Sequence, residues 1–160
     1  VEYKSRLKRE NTIAFYGSRT PYSEFSNFYE AAIEVDGVTW PSSEHYFQAM
    51  KFAGTDSEYS EAIRNAASPA LAAEMGRTRS KPLRSDWEQV KDAVMYKALA
   101  AKYTQYDHLK AVLLSTDDAH LVEHTERDRY WGDGEDGSGK AMLGTLLVQI
   151  REKVKTGETP

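Results

Sequence analysis

The sequence predicts an α+β domain, mostly helical, with a small antiparallel β-sheet drawn from its N-terminal third. Three observations predict it. The only clear hairpin signal, "AAIEVDGVTW", lies at residues 31–40, alternating around Asp36-Gly37, a two-residue turn. From residue 42 onward apolar residues recur mostly at helical spacing. The length, 160 residues, suits one domain with one core, and 40% apolar with 29% charged residues is ordinary for a globular chain.

Taken in order, residues 1–11 read as a polar, basic tail, "VEYKSRLKRE", carrying the cluster Lys4, Arg6, Lys8 and Arg9. No apolar segment follows it, which argues against a secretory signal among these residues. The domain is expected over 12–152. "TIAFYGS" (12–18), aromatic and β-branched, reads as a strand. A helix then opens at Ser42 or Ser43, after Pro41. "SPALAAEMG" (68–76) has Ser68 as N-cap, Pro69 in the first helical position and Gly76 as a stop. "SDWEQVKDAVMYKALAAKY" (85–103) offers a capping box from Ser85 to Glu88, then Val90, Val94, Lys97, Ala98 and Ala101 at helical spacing. "DHLKAVLLS" (107–115) is a short helix. "HLVEHT" has a β-like pattern. Leu143, Leu146, Leu147 and Ile150 form the stripe of a last helix, and residues 153–160 read as a flexible tail.

Composition excludes several classes of chemistry. There are no cysteines, so no disulfide, thiolate nucleophile or cysteine-held zinc. His120 and His124 lie four apart, but the pattern around them is strand-like and no third ligand is evident, so no metal is expected. No apolar run approaches the ~20 residues of a membrane span. The net charge is −4, which argues against a dedicated nucleic-acid-binding module and leaves room for an enzyme acting on a nucleotide-like group.

The stretch "WPSSEHYFQAMKF" (40–52) concentrates reactive side chains. At ~100° per residue, Tyr46, Phe47, Ala49, Met50 and Ala53 form one broad face, the expected core side. Glu44, Gln48 and Lys51 fall together opposite, flanked by Phe47 and Phe52. Such a strip is either an ordinary solvated face or the wall of a cleft. Glu44 sits in the first turn, where the helix N-terminus favours a carboxylate.

"RYWGDGEDGSGKAMLG" (129–144) contains GxxxxGK, but Ala141 stands where magnesium binding needs Ser or Thr, and no apolar strand precedes it. The calcium-loop pattern also fails, because Gly137 occupies a ligand position. What remains is a glycine-rich loop running into a helix N-terminus, suited to a phosphate or simply a surface loop. Trp87 is either first-turn packing or a stacking platform. Ser26 and Asn27, in "FSNF", are loop hydrogen-bonders or turn formers.

Read together, "FYGS", "EFSNF", "DGVTWPSSEHYFQAMKF", "MGRTRSKPLRSDWEQVK" and "LVEHTERDRYWGDGEDGSGK" resemble the YbiA-like, or NADAR, family from about Thr12 to Arg151. The resemblance implies a YbiA-like fold and an N-glycosidase that breaks a ribosyl C1–N bond. It implies Glu44, Lys51 and Asp128 as catalytic residues. Substrate contacts are expected from Phe15, Tyr16, Gly17, Ser26, Asn27, Gln48, Arg84, Trp87, Trp131, Gly132 and Lys140. Two carboxylates would stabilise charge on the sugar and handle water or the leaving nitrogen. Lys51 would bind a phosphate or, the favoured role, attack C1 of an opened ribose as a Schiff base. The substrate expected first is ADP-ribosylated guanine in a nucleotide or nucleic acid, releasing ADP-ribose. The alternatives are ribosylaminopyrimidine intermediates of riboflavin synthesis and, without catalysis, an ADP-ribose reader. No cofactor, membrane or stable protein partner is implied, and a cytoplasmic setting is expected, with the nucleus left open. Two features depart from the family pattern: Ala141 in place of the usual Asn, and the acidic "GEDGSG", where a more basic version is common.

Overall fold

The computed structural model describes residues 11–17 and 21–160. The basic cluster Lys4, Arg6, Lys8 and Arg9, and the expected strand end at Ser18, lie outside these residues. In chain order the elements are β1 (Thr12–Phe15), a 3-10 turn (Ser23–Phe25), β2 (Ile33–Val35), β3 (Val38–Trp40), α1 (Ser43–Met50), α2 (Ser57–Arg64), α3 (Pro69–Gly76), α4 (Trp87–Gln105), α5 (Asp107–Leu114), β4 (His120–Glu123) and α6 (Met142–Lys155). The α+β, helix-rich class holds. None of the described helices is long and apolar enough to cross a membrane. The chain forms two compact units, Asn27–Gln105 and the residues up to Ser26 together with Tyr106–Pro160.

The unit Asn27–Gln105 begins with the expected hairpin. β2 and β3 pair antiparallel, with Ile33 opposite Trp40 and Val35 opposite Val38. Asp36 (φ 53°) and Gly37 (φ 78°) are both left-handed, as a tight hairpin turn between twisted strands requires. Ile33, Val35 and Trp40 point to a core shared with Tyr46, Ala49 and Phe52 of the α1 segment, Ile63 of α2, Ala72 of α3 and Ala98 of α4. Ser42 caps α1, its hydroxyl accepting from the His45 N–H, and Ser68 caps α3 in the same way from Leu71. α2 was absent from the sequence expectation. Its cap is Asp56, whose carboxylate accepts from the Tyr59 N–H.

α4 starts at Trp87 rather than Ser85, because the Val90 N–H bonds to the Asp86 carbonyl and so places Asp86 at the cap. Its buried face is also rotated from the expected one. Met95, Ala98, Leu99, Lys102 and Tyr103 are inside, while Lys97 is exposed and pairs with Asp36. Lys102, wholly buried, lies over the rings of Tyr29 and Tyr103.

In the other unit, β1 pairs with β4, with Thr12 opposite His120 and Phe15 opposite Glu123. The pair is parallel, so β1 joins a strand far along the chain rather than the antiparallel sheet of the N-terminal third. α6 lies against β4 through Gly144, where a Cβ would fall 1.6 Å from the Leu121 carbonyl oxygen. Leu143, Leu146, Leu147 and Ile150 are buried as the stripe predicts. The helix runs to Lys155, into the segment read as a tail, and the Gly157 and Glu158 N–H groups close it on Val154 and Lys153.

Candidate active site

The strip Glu44–Gln48–Lys51 is not a wet face. Every residue from Ser42 to Ala49 is buried, with Glu44 and Gln48 each only 7% exposed. Phe52 is wholly buried in the core rather than flanking a cleft. Helix α1 therefore has no solvated side over its length, and its polar residues are held by specific partners. Gln48 Nε2 donates to Glu44 Oε1 at 2.8 Å, one turn apart. The Gln48 side-chain oxygen is buried and finds no donor among the described residues. Lys51, half-buried at the end of the helix, donates from Nζ to the Gly76 carbonyl at 3.2 Å. Its ammonium also lies 5.7 Å from the centre of the Phe47 ring. Phe47 in turn packs on Trp87, ring centres 5.1 Å apart and tilted. Trp87 is 6% exposed, so its ring serves as packing beside the strip.

The ends of α1 are anchored within the same unit. Ser43 Oγ donates to Asn27 Oδ1 at 2.8 Å, and Asn27 Nδ2 reaches Met95 Sδ. Asn27 thus braces the helix start. His45, buried, bonds from Nε2 to the Ala66 carbonyl and from Nδ1 to Ser42. The Arg84 N–H donates to the Lys51 carbonyl at 2.8 Å, fixing the helix end. The Arg84 guanidinium makes two bonds to Asp86, 2.6 and 3.1 Å. That contact raises the Arg84 pKa and holds the Asp86 carboxyl below its ordinary range. Any anion bound by Arg84 would compete with Asp86.

Gly76 ends α3 where the sequence placed the stop, but the reason for the glycine is different. It is not a left-handed stop: the following Arg77 is right-handed helical as well. Its bare Cα instead makes room for Gln48. A Cβ there would fall 1.9 Å from Gln48 Oε1.

The remaining expected residues belong to the other unit. Phe15 is 1% exposed and edge-on to Phe25, so it is packing. Tyr16 is 56% exposed, and a Cβ at Gly17 (φ 53°) would meet nothing within 4 Å among the described residues. Ser26 is buried. Asp128 Oδ1 accepts from the Tyr130 and Trp131 N–H groups at 2.9 and 2.8 Å, and among the described residues Oδ2 takes no hydrogen bond. Trp131 is half-buried and edge-on to Tyr130. Gly132 sits where a Cβ would strike Thr125 and the carbonyls of Asp128 and Glu123. Lys140 is exposed, its ammonium over the Tyr130 ring.

The glycine loop does not present a phosphate cradle. The N–H groups of Gly134, Glu135 and Asp136, and all those from Ser138 to Leu143, donate within this unit. With the first amides of α6 occupied as well, little is left for an anion. The organiser is Asp133, wholly buried. Its Oδ1 accepts from Thr125 and Glu135, and its Oδ2 from His124 Nδ1 at 2.8 Å. The clue was its position between two glycines, where a short carboxylate can tie a turn to itself.

The chain is similar to known proteins over nearly its whole length. The NADAR domain family matches residues 14–155. The N-glycosidase YbiA of Escherichia coli K12 is 56% identical over 92% of this chain and 91% of its own. The chloroplastic riboflavin biosynthesis protein PYRR of Zea mays is 41% identical over 90% of this chain, which corresponds to 25% of that longer protein. The NMR structure of E. coli YbiA superposes with a TM-score of 0.85 at 55% identity, covering 92% of this chain and 86% of that one. The order of elements, the spacing of the polar strip on α1 and these matches lead to one assignment: the chain belongs to the NADAR family.

Proposed function

We propose that this protein is an N-glycosidase that cleaves a ribosyl C1–N bond. The observation that carries the reading is a buried carboxylate, Glu44, held by an amide donor on the same helix as Lys51, in a chain 56% identical to an enzyme named as an N-glycosidase. Loss of the leaving nitrogen develops positive charge at C1. A fixed carboxylate in a water-poor setting stabilises that charge without having to reorganise. Asp128 is the second carboxylate of the proposal, acting on water or on the leaving nitrogen, with Oδ2 as the reactive oxygen.

Lys51 is proposed as the nucleophile. Its neutral amine adds to C1 as the C1–N bond breaks, one amine proton passing to the leaving nitrogen; the C1–O4 bond then opens, the second proton passing to O4, and the imine left on Lys51 is hydrolysed by water. Substrate contacts are proposed for Trp131, Lys140 and the exposed Tyr16, while Gln48 acts through Glu44.

For the substrate, the relatives favour a small metabolite, a ribosylaminopyrimidine of the kind used in riboflavin synthesis. Proteins named for riboflavin biosynthesis match this chain over 90% and 91% of its length, from Zea mays and Vibrio vulnificus. The acidic exposed pair Glu135 and Asp136 also suits a small substrate better than a polyanion. ADP-ribosylated guanine, placed first from the sequence, is the second reading, supported by the family resemblance. A cytoplasmic setting accords with either.

The test is reductive trapping. With cyanoborohydride and the phosphorylated ribosylaminopyrimidine, a ribose phosphate adduct is expected on Lys51 by mass spectrometry, and none in Lys51→Ala. Turnover without any adduct would remove the covalent role, and turnover by Lys51→Ala would remove Lys51 from the chemistry.

A further inference from the structure

We propose that Gly76 is a positioning residue for the reaction, holding Glu44 through Gln48 and Lys51 through its own carbonyl. The inference rests on the reading of Glu44 and Lys51 as the reacting pair. It begins from a glycine that the backbone does not need. Gly76 closes a regular helical turn with no left-handed φ, where alanine would be the better helix former. What demands glycine is space. A Cβ would fall 1.9 Å from Gln48 Oε1, 2.5 Å from its amide carbon and 2.9 Å from its Cβ.

The amide seated there is oriented by Glu44. Turned over, it would aim its oxygen at the carboxylate, whereas as placed Nε2 donates to Glu44 and Oε1 stays buried without a donor among the described residues. A buried acceptor left unmatched marks a geometry imposed by something else. Here the imposing contacts are Glu44 on one side and the bare Gly76 on the other. The Gly76 carbonyl, meanwhile, accepts from Lys51 Nζ. One residue of α3 therefore sets both reacting groups of α1, through its missing side chain and through its backbone oxygen.

Three variants test this: Gly76→Ala, Gln48→Ala and the pair together, each measured for Tm, kcat and KM on the phosphorylated ribosylaminopyrimidine. The displaced atoms in Gly76→Ala are mostly the end of a flexible side chain, so the fold is expected to survive. Its kcat is expected to fall about 100-fold, with KM changed by less than about threefold. In the double variant the clash is gone, and Tm is expected to recover while kcat stays low, because the donor to Glu44 is still missing. A substrate-free readout accompanies it: the Gln48 side-chain amide NMR signals are expected to shift in both Glu44→Gln and Gly76→Ala.

Wild-type kcat in Gly76→Ala, recovery of both Tm and kcat in the double variant, or unshifted amide signals would overturn the proposal. Glu44→Gln and Lys51→Ala are assayed alongside. If those two keep full turnover, the reading of the reacting pair fails. If they are inactive while Gly76→Ala turns over normally, only the positioning role fails.

Discussion

Replacing Gly144 by alanine should loosen the unit that carries the glycine loop. The Cβ would lie 1.6 Å from the Leu121 carbonyl oxygen and 2.5 Å from its carbon, both part of the β4 backbone. A carbon rests no closer than about 3.3 Å to such an oxygen, so α6 must retreat by roughly 1.7 Å. Neither neighbour can swing aside as a side-chain tip could. The retreat opens gaps under Leu143, Leu147 and Ile150, all at or below 1% exposure. Overpacking of this kind costs about 3 kcal/mol. In a domain of this size that corresponds to a Tm lower by about 6–12 °C. Thermal melts by circular dichroism would measure it, with Gln149→Ala, exposed on the same helix, as the control expected within about 0.5 kcal/mol of wild type. A Gly144→Ala melt within about 1 °C of wild type would refute the close-approach reasoning.

Other perturbations have equally definite outcomes. Glu44→Gln preserves shape and leaves Gln48 an acceptor, so it should stay folded while turnover falls by about 10³; Lys51→Ala should do likewise, and unfolding of both would return the strip to a purely structural role. Ala141 starts α6 with φ 53°, a left-handed geometry that costs a non-glycine residue about 1–2 kcal/mol. Against the loss of one buried methyl, Ala141→Gly should still raise Tm by a few degrees, about 2 °C, and a fall would contradict the strain. The Asp56 carboxyl is held below its ordinary range by its hydrogen bond to Lys81, and the Lys81 ammonium is raised by the same contact. Asp56 therefore contributes stability above about pH 4 that is lost as pH falls through its lowered pKa, and Lys81 contributes below about pH 10 what is lost at higher pH. The Tm difference between wild type and Lys81→Met should be constant from about pH 5 to 9 and shrink in acid; a difference growing in acid would reverse the assignment.

The local elements were readable because their signals are local. Asp36-Gly37 requires a turn with two left-handed residues, and Ser42, Ser68 and Pro69 mark helix starts whatever the surroundings. The parallel β1–β4 pair joins residues over a hundred positions apart, and no periodicity encodes it. The polar strip of α1 was legible as a pattern, but its burial was not, since Glu, Gln and Lys at helical spacing look the same wet or dry. Gly76 shows the same limit. At the end of a helical stretch a glycine suggests a stop, and only the packed neighbour Gln48 reveals that the missing side chain is what matters. Asp133 is one acid of a glycine-rich loop by sequence, and only its folded neighbours reveal that its carboxylate ties three donors together.

The most direct test of the central claim is a paired turnover assay, with Lys51→Ala as control. One substrate is the phosphorylated ribosylaminopyrimidine and the other an oligonucleotide carrying ADP-ribosylated guanine. The proposal predicts cleavage of the pyrimidine's ribosyl C1–N bond, abolished in the variant, with little or no release of ADP-ribose from the oligonucleotide. Release from the oligonucleotide alone would make the second reading correct. Silence on both substrates by a folded protein that still binds ADP-ribose would contradict the glycosidase account and leave a reader of that group.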